Sequence, residues 1–398
     1  MLRSMYSGIS GMKNFQTKLD VIGNNIANVN TFGYKKGRVT FKDTMNQTIS
    51  GASAAQNNRG GKNPMQVGLG STLATIDTIH TQSSLQTTGR PLDLAISGDG
   101  YFIVKQGDAQ FYTRAGNFYL DEEGTLVNAD GYKVQSYSNG TLQDIKVDVN
   151  AIVPAQITTK ITIDGNFPSS VSGTTTQLQQ IKVVDNIGDE HTVELKVESN
   201  GTNKWKLTLQ DRSLTSTTPL VIDVDYGVNP FNATYNPASK NLEVSDGNGG
   251  KLNIPITVSF GNITTNGNNL NALFSPDGTI QGSLESFNIG QYGEINGVFS
   301  NGRVLQLGTL ALAKFSNPSG LTKAGNNLFQ ESINSGTANI NVPGDGRGTI
   351  AASSLEMSNV DLSEEFTEMI TAQRGFQANT RIITTSDEIL QELVNLKR

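Results

Sequence analysis

Two long segments at opposite ends of the chain repeat apolar residues at helical spacing, and the stretch between them alternates or breaks at turns. In residues 358–398, Leu362, Phe366, Met369, Phe376, Ile383 and Leu390 fall four, three, seven, seven and seven apart, the seam of a helix facing another helix. Asp361 is placed to cap its start, with Glu364 three residues on to complete a capping box. Run to about Leu396, this helix would be roughly 50 Å long at 1.5 Å per residue. In residues 1–30, Leu2, Met5, Ile9, Met12, Leu19 and Ile26 keep the three-four repeat, and Phe15, Ile22 and Val29 widen the stripe. The two ends are therefore expected to pair as a coiled coil.

What completes that pair is open between a two-helix core within one chain and further copies of the chain. Gly8, Gly11, Gly23 and Gly375 each weaken a helix by about 1 kcal/mol relative to Ala. Val21, Ile370, Ile382, Ile389 and Leu393 lie off the seam, so the stripes are broader than one partner covers. Length, glycines and breadth together favour other copies, with all the seam residues named above, and Leu393, as the assembly interface. The first helix is expected to stop near Asn28, where Asn24, Asn25, Asn28 and Asn30 tolerate the left-handed backbone and Gly33 offers a second exit.

The interior reads as β-structure. Thr44 to Gly70 is rich in Ser, Gln, Asn and Gly, and is expected to be either a loose linker or a segment ordered only between subunits. Strand signals begin near Leu73 and continue through Leu92–Ile96, Tyr101–Val104, Gln110–Leu120 and Thr125–Tyr137, with turns at Asp99-Gly100, Asp121 to Gly124 and Asp130-Gly131. From about Asn150 to Ser283, Val193, Leu195 and Val197 alternate with polar residues, as do Trp205, Leu207 and Leu209 after Asn200-Gly201. Leu252, Ile254, Ile256, Val258 and Phe260 do so again, Pro255 arguing for an edge strand. This is a β-sandwich or partly closed barrel, inserted into a strand domain that resumes near Leu284 and includes a two-residue hairpin turn at Asn301-Gly302.

The fold class is thus mainly β with α-helical termini: terminal coiled-coil helices plus two all-β domains, the second inserted in the first. The expected domains are 1–30 with 358–398, a 31–72 segment, 73–149 with 284–357, and the insert 150–283.

Composition narrows the chemistry. With 398 residues the chain has room for two or three cores. A net charge of -6 argues against a nucleic-acid partner. Charged residues are 17% and glycines number 42, so polar surface comes from Asn, Gln, Ser and Thr and suits wet, adjustable contacts. With no Cys and only His80 and His191, thiol chemistry is excluded and no metal or cofactor site is expected. Asp121-Glu122 and Asp189-Glu190 sit in expected turns and read as solvated residues, not a catalytic pair. Gly60-Gly61-Lys62 and Gly249-Gly250-Lys251 lack the frame of a phosphate loop. No catalytic residue is assigned. Met1 to Ile9 has no apolar core of a Sec-type signal, and no apolar run is long enough for a membrane span.

Two motifs at the ends carry a resemblance. Ser7-Gly8-Ile9-Ser10-Gly11-Met12 with Asn24-Asn25-Ile26-Ala27-Asn28-Val29-Asn30-Thr31-Phe32-Gly33-Tyr34-Lys35 resembles the amino-terminal signature of the bacterial flagellar rod and hook family. Ala372-Gln373-Arg374-Gly375-Phe376-Gln377-Ala378-Asn379 is similar to its carboxy-terminal signature, and Asp99 to Phe102 with Thr113 to Phe118 to an internal block. The resemblance implies a non-enzymatic axial subunit of the flagellum that polymerises with itself, without cofactor or membrane insertion. It also implies type III export out of the cell, and partners in the rod, the hook cap, the hook-filament junction and the export apparatus. Within the family, the insert and the 317–329 block point to the hook members over the shorter distal rod members. A secreted enzyme or sugar-binding β-protein is the competing class.

Overall fold

The stripes at the two ends form helices α1 (Leu2–Ala27) and α2 (Leu362–Asn395), and among the described residues the remaining regular structure is β apart from a single 3-10 turn at Pro318–Gly320. This computed structural model describes residues 2–54, 60–138, 140–167, 176–200, 204–211, 219–225, 232–236, 241–245, 251–264 and 270–396. The chain divides into two compact units. One comprises Met1–Asp148, Asn288–Asn296 and Gln306–Arg398, the other Val149–Phe287 and Gly297–Leu305.

In the first unit a mostly antiparallel sheet runs Thr322–Gly325, Leu328–Gln330, Ala109–Thr113, Tyr101–Gln106, Lys133–Ser138, Leu126–Val127 and Tyr119–Leu120. Its centre is the apolar run Tyr101 to Val104, buried on both faces. Tyr101, Tyr112, Phe315 and Phe329 pack edge-on around it, with ring centroids 4.8 to 5.9 Å apart. The turn at Asn326-Asn327 puts both residues in the left-handed region, at φ 49° and 59°, a conformation asparagine tolerates.

In the second unit five antiparallel strands run in order Thr176–Val184, Glu190–Ser199, Lys204–Asp211, Leu220–Asp225 and Asn232–Asn236. A three-stranded sheet centres on Lys160–Asn166, paired parallel to Thr257–Thr264 and antiparallel to Asn271–Pro276. Ile161, Val193, Leu195, Trp205, Leu207, Ile222 and Val244 belong to one shared core, with the Phe167 ring edge-on to Trp205 at 5.8 Å.

Three local expectations differ from the structure. The segment Thr44 to Gly70 pairs Asn46–Ser50 with Met65–Gly68, beyond the longer pair Gly37–Asp43 and Ser71–Thr78. Every residue of the outer pair is exposed, so backbone hydrogen bonds and not burial hold it, and an apolar pattern could not announce it. The run Leu252 to Phe260 is two strands in different sheets, Lys251–Pro255 and Thr257–Thr264, broken where Pro255 lacks an N–H. At Asn301-Gly302 only Gly302 is left-handed, at φ 76°, so the connection is longer than the two-residue turn. The turn at Asn200-Gly201 lies partly outside the described residues.

Candidate assembly interface

Helices α1 and α2 pack antiparallel, with Gly8 facing Ile383, Phe15 facing Gly375 and Lys18 bound to Glu368 at 3.2 Å. The inward face of α2 reads Glu365, Met369, Ala372, Phe376, Asn379, Ile383, Ser386 and Leu390, a four-three repeat in which large apolar residues alternate with small or polar ones. The large ones match the expectation. Glu365, Ala372 and Ser386 are buried and were not anticipated, although their spacing of seven and fourteen, with Asn379 between, was present in the sequence.

The glycines first counted as helix breakers turn out to be where the helices approach. A Cβ at Gly375 would lie 2.5 Å from the Phe15 ring, and one at Gly11 would lie 3.0 Å from the Asn379 amide. Each loss of helix propensity is therefore offset by closer packing of a large side chain into the gap. A Cβ at Gly23 would meet nothing within 4 Å.

On α1, Met5, Ile9, Met12, Phe15, Leu19, Ile26 and the following Val29 are half-buried and Ile22 is buried, while the Leu2 side chain lies outside those described. On α2, Met369, Phe376, Ile383 and Leu390 are half-buried, but Leu362, Phe366 and Leu393 stand 40%, 50% and 49% exposed. The single chain does not bring those three into the seam. With Ile370, the first two make one apolar flank; Ile382, Ile389, Leu393 and Leu396 make another. At 100° per residue the flanks lie roughly 150° apart around the helix.

The outer strand pair carries a similar face. Gln47 sits opposite Val67 and, past a register shift at Ile49, Ser50 sits opposite Met65, so Val67 and Met65 share one side of the ribbon, whereas Thr48 and Gln66 occupy the other. Ile49, Met65 and Val67 are all exposed, as are the flanking Met45 and Leu69.

The helix ends are anchored by polar side chains. Asp361 caps α2 by accepting from the backbone N–H of Ser363 and Glu364 at 2.8 and 3.3 Å. The Glu364 carboxylate, expected to close a capping box, instead takes Lys36 Nζ at 2.7 Å. The asparagines at the end of α1 and just past it do not supply left-handed backbone, which falls to Gly33 at φ 70°. They act as hydrogen-bond hubs. Asn25 Nδ2 donates to Gly37 O and its Oδ1 accepts from Gly37 N–H, both at 2.9 Å, and Tyr34 OH donates to Asn24 Oδ1 at 2.7 Å.

Below them lies a buried charge cluster. Lys35 Nζ donates to Glu356 Oε1 at 2.6 Å and to Thr81 O at 2.8 Å, and Arg114 Nη1 reaches Glu356 Oε2 at 3.3 Å. Gly33 N–H donates to Glu356 O at 2.8 Å, and a Cβ at Gly33 would lie 2.6 Å from Ala115 N. The segment leaving α1 is thus tied to Ser354–Glu356, the short strand that precedes α2. Burial lowers the Lys35 pKa against the opposing pull of Glu356. Tyr101, under Arg114, is pushed up to about 12 chiefly by burial. His80, hydrogen-bonded to Tyr101 OH at 2.7 Å, falls to about 4 through burial and the nearby Lys35, Arg114 and Lys323. It is a neutral packing histidine at pH 7, and His191 binds Asp185 at 3.0 Å in the other unit. Among the described residues no group of His, Cys, Asp or Glu is arranged to hold a metal.

Three family descriptions match this chain: the flagella basal body rod protein over residues 5–35, the flagellar hook protein FlgE/F/G D1 domain over 95–202, and the flagellar basal body rod FlgEFG protein C-terminal over 351–396. The flagellar hook protein FlgE of Borreliella burgdorferi is 40% identical, with all of both chains covered. The chain belongs to the flagellar hook and basal-body rod family. The hook protein FlgE of Escherichia coli is 33% identical over 98% of each chain. A family member described as the basal-body rod protein FlgG, from Bacillus subtilis, is 42% identical with both chains wholly covered. Length therefore does not separate hook from rod in this family, contrary to what the insert suggested. The crystal structure of the Helicobacter pylori flagellar hook protein FlgE2 shares the fold at 14% identity, with a TM-score of 0.51 over 68% of this chain and 100% of that one.

Proposed function

We propose that the chain is a subunit of the bacterial flagellar hook, polymerising through its terminal helices into a curved, flexible tube that transmits torque from rod to filament. The observation that carries this reading is the pair of apolar flanks on α2 left uncovered by α1. Burying each large side chain against a neighbour is worth roughly 1.5 to 3 kcal/mol, enough to offset the ordering of the helices once copies assemble. In this reading residues 1–30 and 358–398 form an inner helical layer. Residues 73–149 with 284–357, and the insert 150–283, form outer layers whose small polar contacts slide as the tube turns. The 31–72 segment docks the apolar face of its hairpin on a neighbouring copy. The finer setting is export through the type III apparatus, growth under a cap, and junctions with rod and filament proteins.

The test is polymerisation of the intact chain, followed by electron microscopy. Intact protein should form curved tubes, and protein cut after residue 30 and before residue 358 should stay monomeric. Proteolysis of monomer should remove both ends first. Ends resistant to protease in a chain that never polymerises would refute the reading. The rod protein is the second reading, favoured by the match to the Bacillus subtilis protein, and straight polymers in place of curved ones would decide for it.

A further inference from the structure

Glu365 is 4% exposed in the seam between α1 and α2, and among the described residues it makes no ion pair. Its Oε2 accepts from Asn25 Nδ2 at 3.2 Å, a donor that also serves Gly37 O. It borders a cavity of about 170 Å³ whose cations are all engaged elsewhere. Lys18 of α1 binds Glu368, Lys36 binds Glu364, and Arg38 binds Asp77 at 3.2 Å. Tyr34, from the segment after α1, directs its hydroxyl to Asn24 and Asn25. On α2 itself the neighbours of Glu365 are carboxylates, Glu364 and Glu368.

A carboxylate in this position is poorly solvated, shares one amide and is flanked by like charge, whereas its protonated form escapes the cost of burying charge and the repulsion. We propose that Glu365 is a proton-sensitive latch on the helix pair, loosening the α1–α2 seam when charged and tightening it when protonated. Burial holds its pKa above the usual carboxylate value, opposed by Asn25 and Lys36 and reinforced by Glu368 and Glu364. The paired state therefore takes up a proton more readily than the open one. Seam stability from this group is greatest below the ordinary carboxylate pKa and is lost as pH rises through the raised value. The latch operates within one chain and holds whether or not copies assemble.

The test is hydrogen exchange of the full-length chain, read by mass spectrometry over α1 and α2 from pH 4.5 to 8 and corrected for intrinsic rates. Glu365→Gln should exchange about tenfold more slowly than the native chain around residues 365–379 at pH 7.5 and match it at pH 4.5. Glu365→Asp should keep the pH dependence, and Glu388→Gln, on the exposed face, should leave the native profile unchanged. Identical profiles for the native chain and Glu365→Gln, weaker protection in Glu365→Gln, or no protection of these segments in any variant would each overturn the proposal.

Discussion

Trp205 and Phe366 are both large aromatic residues flanked by polar neighbours in sequence, yet Trp205 is 1% exposed and Phe366 is 50% exposed. The inserted unit closes a dry core on itself, in which strands from more than one sheet bury Trp205, Leu207 and Leu195 together with Phe167. The helix pair leaves Leu362, Phe366, Ile370, Ile382, Ile389 and Leu393 exposed, and seats Glu365, Asn379 and Ser386 in its seam. A seam with small or polar residues at every second position gains less from burial and specifies register better than one of large apolar residues throughout. Apolar residues displaced to the flanks remain free to meet something else. The contrast is between a unit that is finished as a single chain and one that is not.

The most damaging change to the helical side should be Glu356→Ala, which leaves Lys35 and Arg114 buried without their shared carboxylate. A loss of roughly 3 to 5 kcal/mol is expected, read as a lower denaturant midpoint for the first unit while the second is unmoved. Trp205→Ala should cost a similar 3 to 5 kcal/mol or so in the second unit alone. If each variant shifted both transitions together, the two regions would not be independent.

His80 sharpens the comparison through pH. Its folded pKa of about 4 lies below the ordinary histidine value, so the neutral ring is the stable form in the fold. Stability from His80 is complete above about pH 6.5 and falls as pH drops towards 4, by an amount on the order of 2 kcal/mol. Thermal unfolding of His80→Gln, compared with the native chain across that window, should show a flatter pH dependence. Gly375→Ala gains about 1 kcal/mol of helix propensity but drives a methyl group into Phe15, a clash worth about 1 to 3 kcal/mol. Net weakening of about 1 kcal/mol should appear as faster hydrogen exchange in α1 and α2. Phe366→Ala should change single-chain stability least, by within about 0.5 kcal/mol, while raising the protein concentration needed for polymerisation.

Much of this was legible in the chain. The helix stripes, the cap at Asp361 and the alternation from Val193 to Leu209 follow from spacing alone, because burial on one face leaves a periodic trace. The outer strand pair left none, being exposed on both sides and held by its backbone. Glu356, Lys35 and Arg114 were equally silent, since residues 321 and 242 positions apart are joined only by the fold. Gly11 and Gly375 were visible but misread: propensity scales register what a glycine costs its own helix, and not what it admits from the neighbour.

Hydroxyl-radical labelling of Phe366 and Leu393 in free and polymerised protein would show directly whether sister copies cover the flanks of α2. Both side chains should be labelled in the free chain and protected in the polymer. Equal labelling in the two states, or an intact chain that forms no polymer at any concentration, would contradict assembly through the terminal helices.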